Sequence, residues 1–273
     1  MQRKIAIIVS IIMLQLAIIA SGDFSTKHGD YPELDEQVRA AQLSGGINES
    51  PYVYFTDGSG GGQGVYDQDL VGVPYLSTSG LEDMDFDDKI ERYNPIVHDN
   101  ALMIASEYPG SYSISQICAI YEYLHENWQY INDPTGGNYL NYANESIVLG
   151  EKTGSSGVGD CDDFAVLMAS LIETIGGSTR IIHTEDWEGS HAYAEVYVGD
   201  RNSAVSILWQ LLKKYDPEPA DLFKMFCHIN WNSNDCWMNL DWSANHPGGK
   251  YPTGEKSWVL WTSNHSLNSP AID

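Results

Sequence analysis

The chain has 273 residues and a formal net charge of −24, with 14 Lys and Arg against 38 Asp and Glu. Such a surface argues against nucleic acid as a partner, because phosphate contacts need clustered cations. With 42% hydrophobic and 11% aromatic residues, the chain can bury a sizeable core, and its length suits one domain with an appendage.

The first segment, residues 1–22, reads as an export signal. Gln2-Arg3-Lys4 is a basic start, Ile5 to Ala20 is apolar apart from Ser10 and Gln15, and Ala20-Ser21-Gly22 supplies small residues for cleavage. The alternative is an uncleaved anchor, although sixteen helical residues reach only about 24 Å against a hydrocarbon core of about 30 Å. Either reading places the body secreted or extracytoplasmic, with membrane contact only through residues 5–20 if the segment stays uncleaved. Residues 23–90 form an acidic, glycine-rich extension, broken at Gly45-Gly46 and between Gly58 and Gly64, with Asp85-Phe86-Asp87-Asp88 near its end. Apart from a strand at Tyr52-Val53-Tyr54-Phe55, its composition is that of a linker or pro-segment.

Residues 91–273 carry regular patterning. Ile96, Ala101, Ile104 and Ala105 predict a helix ending before Pro109-Gly110. Ser113 caps a second helix, whose Ile117, Ile120, Tyr121, Leu124 and Trp128 share one face and which runs to Asp133-Pro134. A loop over residues 138–144 and a short ordered piece at Ser146–Leu149 lead to the glycine-rich run from Gly150 to Gly159. A third helix starts at Cys161 and stops at Gly176-Gly177. Its apolar face spans Phe164, Ala165, Leu167, Met168, Leu171, Ile172 and Ile175, so it is expected to be central and buried. Strands follow at Thr179–His183 and His191–Val198. In the latter Ala192, Ala194, Val196 and Val198 alternate with His191, Tyr193, Glu195 and Tyr197. Further strands are expected at Cys236–Trp242, with Asn239 and Asp241 on one face, and at Trp258–Trp261. The intervening linker, with its apolar Ile207–Leu212 segment, reads as a lid or substrate wall.

Four cysteines remain to be placed. Cys227 and Cys236 flank a polar stretch and are expected to form a disulfide, worth about 2.7 kcal/mol on the chain-entropy model. Cys118 falls on the apolar face of the second helix and reads as buried and inert. Cys161 is left without a structural purpose. No CxxC or HxxxH spacing supports zinc.

Cys161 lies in Gly159-Asp160-Cys161-Asp162-Asp163-Phe164, where a glycine-rich loop turns into a helix. Unpaired backbone amides and the helix dipole favour a thiolate there, by about 0.3–1 kcal/mol. Asp160, Asp162 and Asp163 oppose it, so a histidine must become imidazolium beside the sulfur. His191 is best placed, with His183 as runner-up, and Asp241 would accept the imidazole N–H. A nucleophile, a base and an orienter in that order are the parts of a cysteine acyl-transfer site.

The same residues carry a resemblance. The runs Tyr121–Tyr130, Gly159–Ala165 with Leu167, Leu171, Gly176 and Arg180, His191–Tyr197, and Leu240-Asp241-Trp242 resemble the transglutaminase-like superfamily. Tyr193 stands where that family often has tryptophan. The resemblance implies an α+β, papain-like core in which the nucleophile-bearing central helix packs against an antiparallel sheet, with Cys161, His191 and Asp241 as catalytic residues. It implies acyl transfer on amide bonds of a protein or peptide, at a cell surface or cell wall, through a thioester on Cys161. The chemistry needs no cofactor, and calcium finds no regular acidic pattern here. The Cys161 amide is one expected oxyanion donor and Tyr142 the second. Two rivals are a catalytically silent extracellular binding module and a zymogen whose residues 23–90 cover the cleft.

Overall fold

The computed structural model describes residues 86–134, 139–186, 189–216, 227–229, 233–252 and 256–272. The expected signal segment, the Tyr52–Phe55 strand and most of the extension lie outside the described residues.

The chain order is α1 (Phe86–Lys89), α2 (Pro95–Ala105), α3 (Ile114–Asn127), β1 (Trp128–Tyr130), α4 (Ala143–Thr153), β2 (Gly157–Gly159), α5 (Cys161–Thr174), β3 (Thr179–Asp186), β4 (Gly189–Asp200), α6 (Arg201–Tyr215), β5 (Cys227–Ile229), β6 (Asp235–Asn239), a single 3₁₀ turn (Trp242–Ala244) and β7 (Lys256–Thr262). The main sheet has the order β5-β6-β4-β3-β7, antiparallel at every step, while β1 and β2 form a separate parallel pair. The expected α+β architecture is the one observed.

α5 is the centre of the molecule. Phe164 through Ile172 are all buried, and the helix packs against α2, α3 and α4 as well as β3 and β4. A helix apolar on nearly every side has to be surrounded in this way. Its far end is fixed by Glu173, which accepts from the Thr179 backbone amide at 3.0 Å and hydroxyl at 2.9 Å and pairs with His265 at 2.5 Å. Thr174 donates to the Arg92 carbonyl at 3.0 Å, tying the segment before α2 to the same end.

Helix starts follow the capping rules. The Ser113 amide donates to Gln116 Oε1 at the head of α3, and Asp200 accepts from the Ser203 amide at the head of α6. α6 corrects the expected lid. Ala204, Ile207 and Leu211 form a buried stripe at helical spacing, the helix packs on β4, and Tyr215 Oη donates to Glu122 of α3 at 2.6 Å. α3 ends at Asn127, earlier than expected, because Trp128–Tyr130 leaves the helix to pair with Gly157–Gly159.

The polar row of β4 is buried at its centre, at Tyr193 and Glu195. Glu195 is 0% and Arg180 1% exposed, and Arg180 Nε donates to Glu195 Oε2 at 2.6 Å. Leaving either charge without the other would cost about 3–5 kcal/mol. β3 and β4 therefore pair through an internal salt bridge at Arg180↔Glu195, beside the β6 partner Asn239.

Candidate active site

Three elements converge on the start of α5. Cys161 is its first residue and is half-buried. Gly159, just before, adopts φ 155°, and a Cβ there would meet Asp163 Cβ at 2.4 Å, so only glycine lets the loop enter the helix so tightly. Asp163 secures the turn. It accepts from the Asp160 amide at 3.2 Å and from the Asn141 amide and side chain at 2.7 and 3.0 Å.

His191 comes from the second strand of the β3–β4 hairpin. Its Nε2 lies 2.8 Å from Asp241 Oδ1, and the imidazole also hydrogen-bonds with Cys161. Asp241 lies just past the end of β6 and opens the 3₁₀ turn, so the expected strand to Trp242 stops short at Asn239. The shorter strand frees Asp241 to turn toward the imidazole. Its backbone is fixed at both ends. The Asp241 amide donates to Asn239 Oδ1 at 2.9 Å, and Tyr121 Oη donates to the Asp241 carbonyl at 2.7 Å. Ser243 donates to its second carboxylate oxygen. Asn239 is held in turn by donating to the carbonyls of Gly249 and Lys250. The expected trio of Cys161, His191 and Asp241 is thus brought together in hydrogen-bonded order.

Burial pulls the His191 imidazole down, but the hydrogen bonds to Asp241 and Cys161, together with the Asp241 charge, outweigh it and push the group up to about 10. His191 is therefore an imidazolium across the neutral range, poised as an acid. His183 does not share this role. It stands opposite Ala192 while Thr184 stands opposite His191, so the two histidines point to opposite faces of the sheet. Burial lowers the His183 pKa, and its carboxylate neighbour is Glu185 at 3.6 Å.

The acidic flank behaves differently from the sequence expectation. Burial, then hydrogen bonding with Asp160, pushes Asp162 up to about 10, and burial pushes Asp163 up to about 6. Asp162 is therefore neutral at pH 7 and spares the sulfur one negative neighbour. Among the described residues, the carboxylates of Asp160, Asp162 and Asp163 are the group close enough to share a cation, with ligand atoms within 4.8 Å. Both Asp163 oxygens are already engaged by Asn141 and Asp160.

Tyr142, expected beside the oxyanion, instead caps α4 with the Lys89 ammonium 3.6 Å from its ring centroid. The tyrosine at the sulfur is Tyr130, which hydrogen-bonds with Cys161 and packs on Trp242 at 5.2 Å between centroids. It was legible only as part of the Tyr121–Tyr130 resemblance. The β1–β2 pairing, with Tyr130 opposite Gly159, is what carries it to the nucleophile.

Residues 103–211, which contain Cys161 and His191, match the family model of the transglutaminase-like superfamily. No curated protein matches the sequence significantly. Among solved structures, the chain is similar to a proposed cysteine protease from Cytophaga hutchinsonii at 15% identity, covering 72% of this chain and 63% of that one, with a TM-score of 0.33. It is also similar to calcium-bound LapG from Legionella pneumophila at 12% identity, covering 64% of this chain and 92% of that one, with a TM-score of 0.31. The chain thus spans less than two thirds of the length of the first of these. What the comparisons support is a likeness to the transglutaminase-like superfamily over residues 103–211.

Proposed function

We propose that the protein is a cysteine-dependent acyltransferase or amidase acting on amide bonds of a protein or peptide. The observation that carries this reading is the continuous hydrogen-bonded line Cys161–His191–Asp241, with the sulfur at a helix start and the imidazole held protonated. As a thiolate, Cys161 attacks the amide carbonyl. His191 gives its proton to the departing amine, which leaves a thioester on Cys161. The neutral imidazole then takes a proton from water or from a second amine as that group attacks. Water yields hydrolysis, and an amine yields a new amide. Asp241 orients the ring throughout and stabilises its charged form.

The tetrahedral oxyanion needs donors fixed in advance. The Cys161 amide, in the first turn of α5 where no intrahelical acceptor exists, is one. We assign Tyr130 Oη as the second, on the strength of its hydrogen bond with the Cys161 sulfur. No step calls for a metal or an organic cofactor. Among the described residues, no helix is long and apolar enough to cross a membrane. Export rests on residues 1–22 and is part of the proposal.

The test is to incubate the full chain with an activated glutamine or peptide ester and quench in acid. A covalent acyl adduct on the Cys161 peptide, released by hydroxylamine and absent in Cys161→Ala, supports the reading. Absence of any adduct across ester, amide and amine-donor panels favours the silent binding module.

A further inference from the structure

A buried polar assembly outside the active site lies where β5 meets β6. Arg180 and Glu195 form its centre, and His228 Nδ1 of β5 lies 2.6 Å from Glu195 Oε1. Tyr251 stacks on the His228 ring at 4.3 Å and donates to the Trp237 carbonyl at 3.1 Å. Arg180 lies over the Trp237 ring at 4.5 Å, and its Nη1 and Nη2 have no hydrogen-bond partner among the described residues. Two thiols lie on the other face of the same strand pair. Cys227 stands opposite Met238 and Cys236 opposite Ile229, so both cysteines lie on the same face of adjacent antiparallel strands, on a diagonal. Both are free, and hydrogen bonding with Cys236 is the first cause of the raised Cys227 pKa. The expected Cys227–Cys236 disulfide is not formed in this structure, and the two cysteines stand as diagonal neighbours on one face.

We propose that Cys227 and Cys236 form a redox staple, a dithiol that closes reversibly to a disulfide and pins edge strand β5, with His228, onto β6. The geometry explains why a staple matters at this place. β5 is three residues long, is the outermost strand, and pairs only with β6 among the described residues. Local opening of a short edge strand costs far less than global unfolding. Yet β5 delivers His228 to a fully buried carboxylate. The strand it pairs with runs on to Asn239 and Asp241, so the bond would brace the segment that sets the triad's orienter.

The chemistry balances with a small-molecule disulfide as oxidant. One thiolate attacks a sulfur of oxidised glutathione, and a glutathione thiolate leaves, giving a mixed disulfide. The second thiol loses its proton to solvent and attacks the protein sulfur, and the second glutathione departs. Two protein thiols are oxidised and one glutathione disulfide is reduced to two thiols. Donation of its S–H to the Cys236 sulfur, together with burial, holds Cys227 protonated while β5 is paired, and the Arg180 cation opposes them. Opening of β5 breaks that hydrogen bond and exposes the sulfur, so exchange follows strand opening.

The experiment uses the full chain carrying Cys161→Ala, so that the active-site thiol cannot interfere and no activity is read. Samples are equilibrated in defined mixtures of reduced and oxidised glutathione, quenched by alkylation, mapped by mass spectrometry and melted. The expected result is a Cys227–Cys236 linked peptide that appears in one two-electron transition, with Tm higher by about 5–10 °C in the oxidised form. Adding Cys236→Ser must abolish both. Should that variant fail to fold, Cys227→Ser at the half-buried partner serves the same purpose. Glutathione adducts on single cysteines without a link, or a link that leaves Tm unchanged, overturns the proposal. Because neither readout uses catalysis, its failure is separable from failure of the acyl-transfer reading.

Discussion

Two of the histidine–carboxylate pairs in the main sheet, His191–Asp241 and His228–Glu195, do opposite things. At His191–Asp241 the carboxylate has no other cation among the described residues, and its hydrogen bond and charge, with the Cys161 hydrogen bond, overcome burial and push the imidazole up to about 10. At His228–Glu195 the carboxylate also faces Arg180. Burial would raise the Glu195 acid, but the Arg180 and His228 charges overcome it and hold the group down at about 2. The distances are nearly the same, 2.8 and 2.6 Å. What differs is the third partner, a thiol beside one pair and a guanidinium beside the other. A thiol turns the pair into a proton donor beside a nucleophile, and a guanidinium turns it into a buried strut.

The largest effect should come from removing the third partner at the reactive pair. Cys161→Ala should lower acyl transfer by about 10³-fold or more in a thioester-release assay, with the urea midpoint nearly unchanged. Asp241→Asn should cost about 10²–10⁴-fold in kcat, and the His191 titration followed by NMR should fall from about 10 toward its ordinary 6.5. At the strut the loss appears in stability. Arg180→Met should destabilise by about 3–5 kcal/mol in urea, and adding Glu195→Gln should restore part of it, since the penalty is an unpaired buried charge. Tyr130→Phe should lower kcat by about 10²-fold with little change in KM, because an oxyanion donor acts on the transition state.

The smallest effect is the most diagnostic of the comparison. His191 has a raised pKa, so its stabilisation, taken as wild type minus Asp241→Asn, should be complete below about pH 6.5 and vanish as pH rises through about 10. Glu195 has a lowered one, so wild type minus Glu195→Gln should be complete above about pH 4.5 and vanish as pH falls through about 2. Thermal melts across pH would show two limbs of opposite sign. Limbs of the same sign would break the contrast.

Much of this was readable in the residues. The all-round apolar helix from Cys161 had to be central. The alternation from His191 to Val198 had to be a strand, and the three candidate site residues do converge. What was hidden depended on long-range pairing. The β1–β2 register moves Tyr130 to the sulfur, a contact between residues 31 positions apart that no local pattern encodes. The burial of Glu195 was masked because an alternating strand reads as polar on one face, and only its partner Arg180 on β3 makes that burial tolerable. α6 is a different case. The Ile207–Leu212 segment reads as a lid or substrate wall, yet Ala204, Ile207 and Leu211 carry a helical stripe, and period 3.6 outweighs that reading.

The most direct test of the central claim is the rate of Cys161 alkylation by iodoacetamide against pH, in wild type and His191→Ala, with labelling read on the Cys161 peptide. Rapid labelling below pH 7 that collapses in the variant is the result expected of a thiolate–imidazolium pair. Slow labelling in both proteins, rising together only in the range of an ordinary free thiol near pH 8.5, would contradict it.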